Sequence, residues 1–220
     1  MTFSYYEINN TIEITNDKIS TIVIENRTLY SSLIDDIYQQ TQGHDGRATL
    51  YDKDRLLDLS KNIDLTTTFI PFEINRKSLV NKIIATLEKN AIANHYEETM
   101  KLLCEIEKYL DIISHDYSIT PSFNKSTVSS LIKSVGIFIE EDQNNIAEKM
   151  IDYMEIVREF DGEKIFVTAG MRSYISNELA ERFMKTVLDH GYKILMIESV
   201  TDKISQYEKR LTIDQDLCEF

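Results

Sequence analysis

The chain holds only two cysteines, Cys104 and Cys218, far apart in sequence and without the spacing of a metal site. Reduced thiols in a cytosolic compartment are the expectation. Nowhere do eighteen apolar residues run together, and the first twenty residues, from Met1-Thr2-Phe3-Ser4-Tyr5-Tyr6-Glu7, lack the basic and apolar regions of a secretion signal. A soluble, cytoplasmic chain with no membrane partner follows. The glycine-rich loop that cradles a triphosphate, G-x-x-x-x-G-K followed by Ser or Thr, is missing, which disfavours ATP hydrolysis. No H-E-x-x-H or Cys-His set exists either, so His44, His95, His115 and His190 read as surface or capping residues.

What is present suffices for a core: 42% of the 220 residues are hydrophobic and 10% aromatic. The formal net charge of −13 argues at first sight against nucleic acid. Binding depends on where cations sit, however, and a concave face can collect them while the exterior stays acidic. Residues 74 to 87 carry Arg76, Lys77 and Lys82 without a carboxylate, and residues 117 to 139 carry Lys125 and Lys133 without one. In a chain with 37 acids these tracts are candidate anion-facing surfaces.

Periodicity divides the chain in three. The β-branched run Ile19 to Ile24 suits a buried strand, and Asn26 caps a helix with Leu29, Leu33 and Ile37 at four-residue spacing, ending before Gly43. Two short extended pieces follow, around Ala48 to Tyr51 and Ile63 to Phe69. Long amphipathic helices then mark Leu79, Ile83, Leu87, Leu102, Leu103, Ile106, Leu110 and Ile113, with shorter ones over 126 to 135 and 144 to 160. Beyond these, Ile165-Phe166-Val167, a Ser176-capped helix through Leu179, Phe183 and Val187, and Ile194 to Ile197 make a parallel strand-helix-strand crossover. The expected architecture is an α/β head from residues 1–71 and 158–220, with a mixed sheet, interrupted by an α-helical leg over 72–157.

In such a head, phosphate binds at turns that follow parallel strands. Glu25-Asn26-Arg27 has no glycine, which leaves Thr168-Ala169-Gly170-Met171-Arg172-Ser173 as the better anion candidate beside the bland reading of a plain strand-to-helix turn. Paired acids at Asp35-Asp36, Asp52 with Asp54 and Asp214 with Asp216 read as solvated faces; Glu140-Glu141-Asp142 is the most suggestive for a hard cation.

Three stretches resemble the type II-A CRISPR adaptation protein, the small family of tetrameric DNA-ring proteins. They are Leu131-Ile132-Lys133-Ser134-Val135-Gly136-Ile137 with Ile139-Glu140; Lys164-Ile165-Phe166-Val167-Thr168-Ala169-Gly170; and Lys193 to Glu198 with Gln206-Tyr207 and Leu211-Thr212-Ile213-Asp214-Gln215-Asp216. The likeness is best over 126 to 216. It implies a head with a degenerate P-loop-NTPase-like fold, an inserted helical leg, no catalysis, and a homotetrameric ring. That ring's basic inner surface, with Arg76, Lys77, Lys82, Lys125 and Lys133, would hold linear double-stranded DNA at its ends during spacer acquisition. The implied partners are the adaptation integrase with its partner subunit and the large RNA-guided nuclease.

Relatives in that family carry an acidic, calcium-binding cluster upstream of the Leu-Ile-Lys-Ser helix; here Thr120 to Ser126 has no carboxylate and one cation. Either Glu140, Glu141 and Asp142 hold Ca²⁺ with other residues, or Lys125 supplies the positive charge itself. Two other functions stay open at this stage. One is a nucleotide-binding α/β enzyme using the turn Thr168 to Ser173, and the other is a scaffold that assembles adaptation proteins through its acidic exterior.

Overall fold

The computed structural model describes residues 1–115, 117–119, 121–140, 145–200 and 203–220. It divides into an α/β unit, Met1–Glu73 with Glu141–Phe220, and a helical unit, Ile74–Glu140.

In the α/β unit the chain runs β1 (Thr2–Tyr5), β2 (Ile12–Glu13), β3 (Ile19–Ile24), α1 (Arg27–Thr41), β4 (Ala48–Asp52), β5 (Arg55–Leu57), α2 (Leu59–Asn62) and β6 (Ile63–Thr66). The helical unit contributes α3 (Lys77–Asn94), α4 (Tyr96–Ser114) and α5 (Val128–Val135). The α/β unit resumes with α6 (Ile146–Asp161), β7 (Ile165–Ala169), a 3₁₀ turn (Met171–Tyr174), α7 (Asn177–Asp189), β8 (Lys193–Glu198) and β9 (Glu208–Ile213).

The expected mixture of strand directions is present but partitioned. Strands β6-β7-β8-β3-β9 form a parallel sheet, whereas β2-β1-β4-β5 form an antiparallel one. Residues paired in parallel register share a face, so Ile22, Ile24, Val167, Leu195, Ile197 and Ile213 lie on one side of the parallel sheet. They pack in one core with Leu29, Leu33 and Ile37 of α1 and with Phe3, Tyr5, Ala48 and Leu50 of the antiparallel sheet. Asn26 caps α1, its side chain accepting from the backbone N–H groups of Thr28 and Leu29 at 3.1 Å. The opposite face carries Asp64, Thr168, Met196, Thr21 and Arg210, beneath α6 and α7 with their buried Met150, Met154, Phe183, Met184 and Val187.

The second half of the interruption belongs to the α/β unit, contrary to the boundary expected at residue 157. Strands β6 and β7 are parallel neighbours, and a parallel pair needs a crossover with a helix packed on the sheet. Helix α6 serves as that helix. The Tyr153 hydroxyl donates to Asp64 of β6 at 2.8 Å, and its ring meets Phe72 edge-on at 5.7 Å. The helical unit is therefore 74–140, an insertion into one crossover. Strand β9 was not anticipated, because Glu208, Lys209 and Arg210 disguise its alternation.

Those charges are used inward. Glu208 Oε1 accepts from Arg210 at 2.6 Å, from the Ser205 backbone at 2.8 Å and from Arg172 at 3.4 Å, and all three charged side chains are buried. One carboxylate thus bonds two guanidinium groups away from water, where removing a buried charged partner is strongly destabilising. Glu208→Gln is expected to cost about 3–5 kcal/mol in a thermal or urea unfolding measurement. Arg182→Gln, which breaks only the exposed pair with Glu178, should change stability by less than about 1 kcal/mol.

The segment after β9 folds back along it: Thr212 and Phe220 exchange backbone hydrogen bonds at 3.1 and 2.9 Å. Glu219 fixes this return. Its carboxylate accepts from the backbone and side-chain amides of Asn9 and Asn10 at 2.6 to 3.0 Å. Burial alone would raise the Glu219 carboxyl, but these four donors outweigh it and hold the group below its ordinary value. A lowered carboxyl stabilises the fold above the ordinary carboxylate range, and that contribution is lost as pH falls through the lowered value. The protection factors of the Thr212 and Phe220 amides, taken relative to the intrinsic exchange rate at each pH, should fall on acidification in the native chain. In Glu219→Gln these protection factors should already be low at neutral pH and change less with acid.

Candidate nucleic-acid interface

The cations singled out by sequence all fall in the helical unit. Arg76 is the N-cap of α3 without a side-chain capping bond, Lys77 opens the helix, and Lys82 follows in its second turn. No acid occupies the first turn, and two cations stand where the helix dipole already presents positive charge. Cations at a helix N-terminus are unfavourable by some tenths of a kcal/mol unless an anion is near. Lys133 lies in the last turn of α5, the favourable end for a cation.

Helix α5 packs on α3, so the two acid-free tracts come together in one layer. Asn75 closes it: its Nδ2 donates to the Ile139 carbonyl at 3.0 Å, and its Oδ1 accepts from the Ile139 amide at 2.7 Å. Local capping shapes α5 as well, through the reciprocal Thr127 and Ser130 bonds and the turn at Gly136 (φ +84°). Lys77, Lys82, Lys125 and Lys133 are exposed, Arg76 half-buried.

Lys125 has different surroundings. It lines a cavity of about 520 Å³ with Glu107, Asp111 and Ser114 of α4, and with Pro121 to Asn124. Glu107 also accepts from the Ser126 amide at 3.1 Å. Of the cation-site candidates, Glu140 is exposed, while Glu141 and Asp142 lie outside the described residues. Among the described residues no group of three or more His, Cys, Asp or Glu side chains is placed to hold a metal ion.

Charge is divided between the units. Of 24 Lys and Arg and 37 Asp and Glu, eight of each lie between residues 74 and 140, so the whole −13 belongs to the α/β unit. This balance is a property of the whole unit and depends on its boundaries. The helical unit also leaves apolar surface uncovered within its own chain. No residue of α5 is buried, Val135 and Phe138 are 80% and 71% exposed, and Ile112 of α4 is 69% exposed. Leu87 and Ile113, expected on a buried stripe, are exposed with them.

The turn expected to take an anion does not offer its arginine to solvent. Gly170 adopts φ +75° and donates its N–H to Ile197 at 2.8 Å, which throws Met171–Tyr174 back over the sheet. The Arg172 guanidinium is buried, bonded to Glu208, Asn177 and the Lys203 carbonyl. Its backbone N–H meets both Glu198 oxygens at 3.3 Å, so the chain's own carboxylate stands at that turn. Tyr30 of α1 closes over the same place, and a Cβ on Gly170 would lie 3.2 Å from its hydroxyl. Burial pushes the Tyr30 phenol up to about 12, with Glu198 and Tyr174 adding to the shift. At the end of β3, Asn26 satisfies the first amides of α1, donates to the Gln215 carbonyl at 3.0 Å, and is joined by Gln215 donating to Glu25 at 2.7 Å.

A family profile described as CRISPR-associated protein (Cas_Csn2) matches residues 40–217. The chain belongs to the Csn2 family of CRISPR-associated proteins, which supports the adaptation role that the resemblance implied. It is 21% identical over 164 residues to the CRISPR-associated protein Csn2 of Streptococcus agalactiae, covering 71% of each chain. Its fold is similar to that of Stu0660 of Streptococcus thermophilus, with a TM-score of 0.59 and 14% identity over 97% of this chain and 75% of that one. An ATP-binding cassette of an ABC transporter, MJ1267 in its ADP conformation, aligns with a TM-score of 0.49 at 15% identity over 97% of this chain and 85% of that one. No helix among the described residues is long and apolar enough to cross a membrane.

Proposed function

We propose that four copies of this chain close into a ring around the ends of linear double-stranded DNA and hold them, without catalysis, during CRISPR spacer acquisition. In this reading the protein acts beside the adaptation integrase and the RNA-guided nuclease. The observation that carries it is the layer formed by α3 and α5, where the two acid-free tracts meet in a unit that holds none of the chain's net negative charge. Arg76, Lys77, Lys82 and Lys133 are placed to meet phosphates, which gives affinity without reading bases. The uncovered apolar residues of α4 and α5 supply the surface for self-association. An unbroken ring can load only at an end.

Binding should be nearly independent of sequence and fall steeply with salt. Lys77→Glu and Lys133→Glu should each weaken all duplexes alike and reduce the salt slope by about 1 in a fluorescence anisotropy titration. Linear duplex should bind and covalently closed circles should not; equal retention of both would overturn encirclement.

Lys125 shares a cavity with Glu107 and Asp111, and in this reading its ammonium supplies the positive charge that a bound cation would otherwise bring. DNA binding is therefore expected to survive a calcium chelator, whereas Lys125→Gln should make it calcium-responsive. Loss of binding by the native chain on chelation would show that the metal is needed.

A further inference from the structure

The two crossover helices of the α/β unit frame a groove that the DNA-binding reading does not use. Both α6 and α7 connect parallel neighbours, so they run side by side in the same direction. Between them lies a cavity of about 260 Å³ whose floor is Ala147 and Ile151 from α6 and Leu179 and Phe183 from α7. Ile151 and Leu179 are half-buried, so the apolar floor is open to water.

Along the α6 side of this groove runs a rail of carboxylates. Glu148 and Asp152 line the cavity, and Glu155 and Glu159 continue the same stripe at the spacing i, i+4, i+7 and i+11. Glu148, Glu155 and Glu159 are exposed. Two cations interrupt the sequence there: Arg158 lies over the Tyr192 ring at 4.4 Å and donates to the His190 carbonyl at 3.0 Å, and Lys149, half-buried, follows Glu148 a quarter-turn further round the helix. On the α7 side Arg182 is paired with Glu178. The result is an apolar slot with an acidic rim on one flank, in the unit that carries the chain's entire net charge of −13.

We infer that this groove receives a cationic amphipathic helix from a partner protein, its apolar edge on Ile151 and Leu179 and its basic edge along Glu148 to Glu159. Helix-in-groove recognition reads such anchors at i, i+3, i+4 and i+7 spacing, and the acidic rail fixes which flank of the helix faces it. An anionic helix is repelled by the same rail. Duplex DNA is excluded for the same reason, so this surface and the cations of the helical unit serve different partners.

The test uses the full chain and a helical peptide of about 18 residues, with Leu on one stripe and Lys on one flank, beside a scrambled peptide of identical composition. Anisotropy should show the patterned peptide binding at least about tenfold more tightly than the scrambled one. Hydrogen exchange should slow in α6 and α7 on binding. Glu155→Lys with Glu159→Lys should weaken the patterned peptide about tenfold and leave duplex DNA binding unchanged. Ile151→Ser should weaken it without altering its salt dependence. Equal binding of the two peptides, undiminished binding to the charge-reversed chain, protection confined to other elements, or self-association of the chain through α6 and α7 would each overturn the assignment.

Discussion

The parallel pairing of β6 with β7 governs much of the rest of the fold. Two adjacent parallel strands cannot be joined by a tight turn, so the chain must travel back across a sheet face before β7 can begin. That return needs only one helix, and α6 provides it. Everything between Ile74 and Glu140 is therefore surplus to the sheet's requirement, and three helices can be placed there without disturbing a single strand pair. The same constraint explains the separation of charge. The inserted helices are not obliged to share the composition of the sheet that carries them, and here they hold equal numbers of acids and cations while the α/β unit keeps the surplus of acids.

A parallel sheet buried on both faces normally reads as continuous apolar sequence, and Ile19–Ile24 and Lys193–Glu198 conform. The edge strand β9 does not. Its second face carries Glu208 and Arg210, and Arg172, brought over by the turn at Gly170, completes the charge balance beneath the surface. Burying three charged side chains is costly, and hydrophobic replacements of equal volume would often be as stable. The cluster makes the positions of the 3₁₀ turn, the 203–205 segment and β9 mutually dependent, since each supplies a group that bonds to the others.

Much of this was legible in the residues. Asn26, Leu29, Leu33 and Ile37 define α1 because a cap and a four-residue stripe are local signals, and Ser176 with Phe183 and Val187 does the same for α7. The acid-free tracts were visible too, since they are runs. What sequence could not show was which helices belong to which unit: the stripe Ile146, Met150, Met154 and Val157 has the same period whether it packs on a sheet or on another helix, and only Tyr153 reaching Asp64 decides. Arg172 misled for a related reason. Beside glycine and hydroxyls it has the composition of an anion site, while its actual counter-ion, Glu208, is 36 positions away. The carboxylate rail of α6 lay in plain view as a spacing, but its meaning depended on the apolar residues that α7 sets beside it.

At the end of β3 the strand-to-helix turn is bonded from within the chain. Anion binding at a strand-to-helix turn needs amides at the helix start that the chain itself leaves unsatisfied. Here Asn26 takes two of them, Gln215 fastens the same turn to the segment after β9, and at the neighbouring turn Glu198 occupies the Arg172 amide. Each of these groups supplies from within a bond that a ligand could otherwise make at those turns.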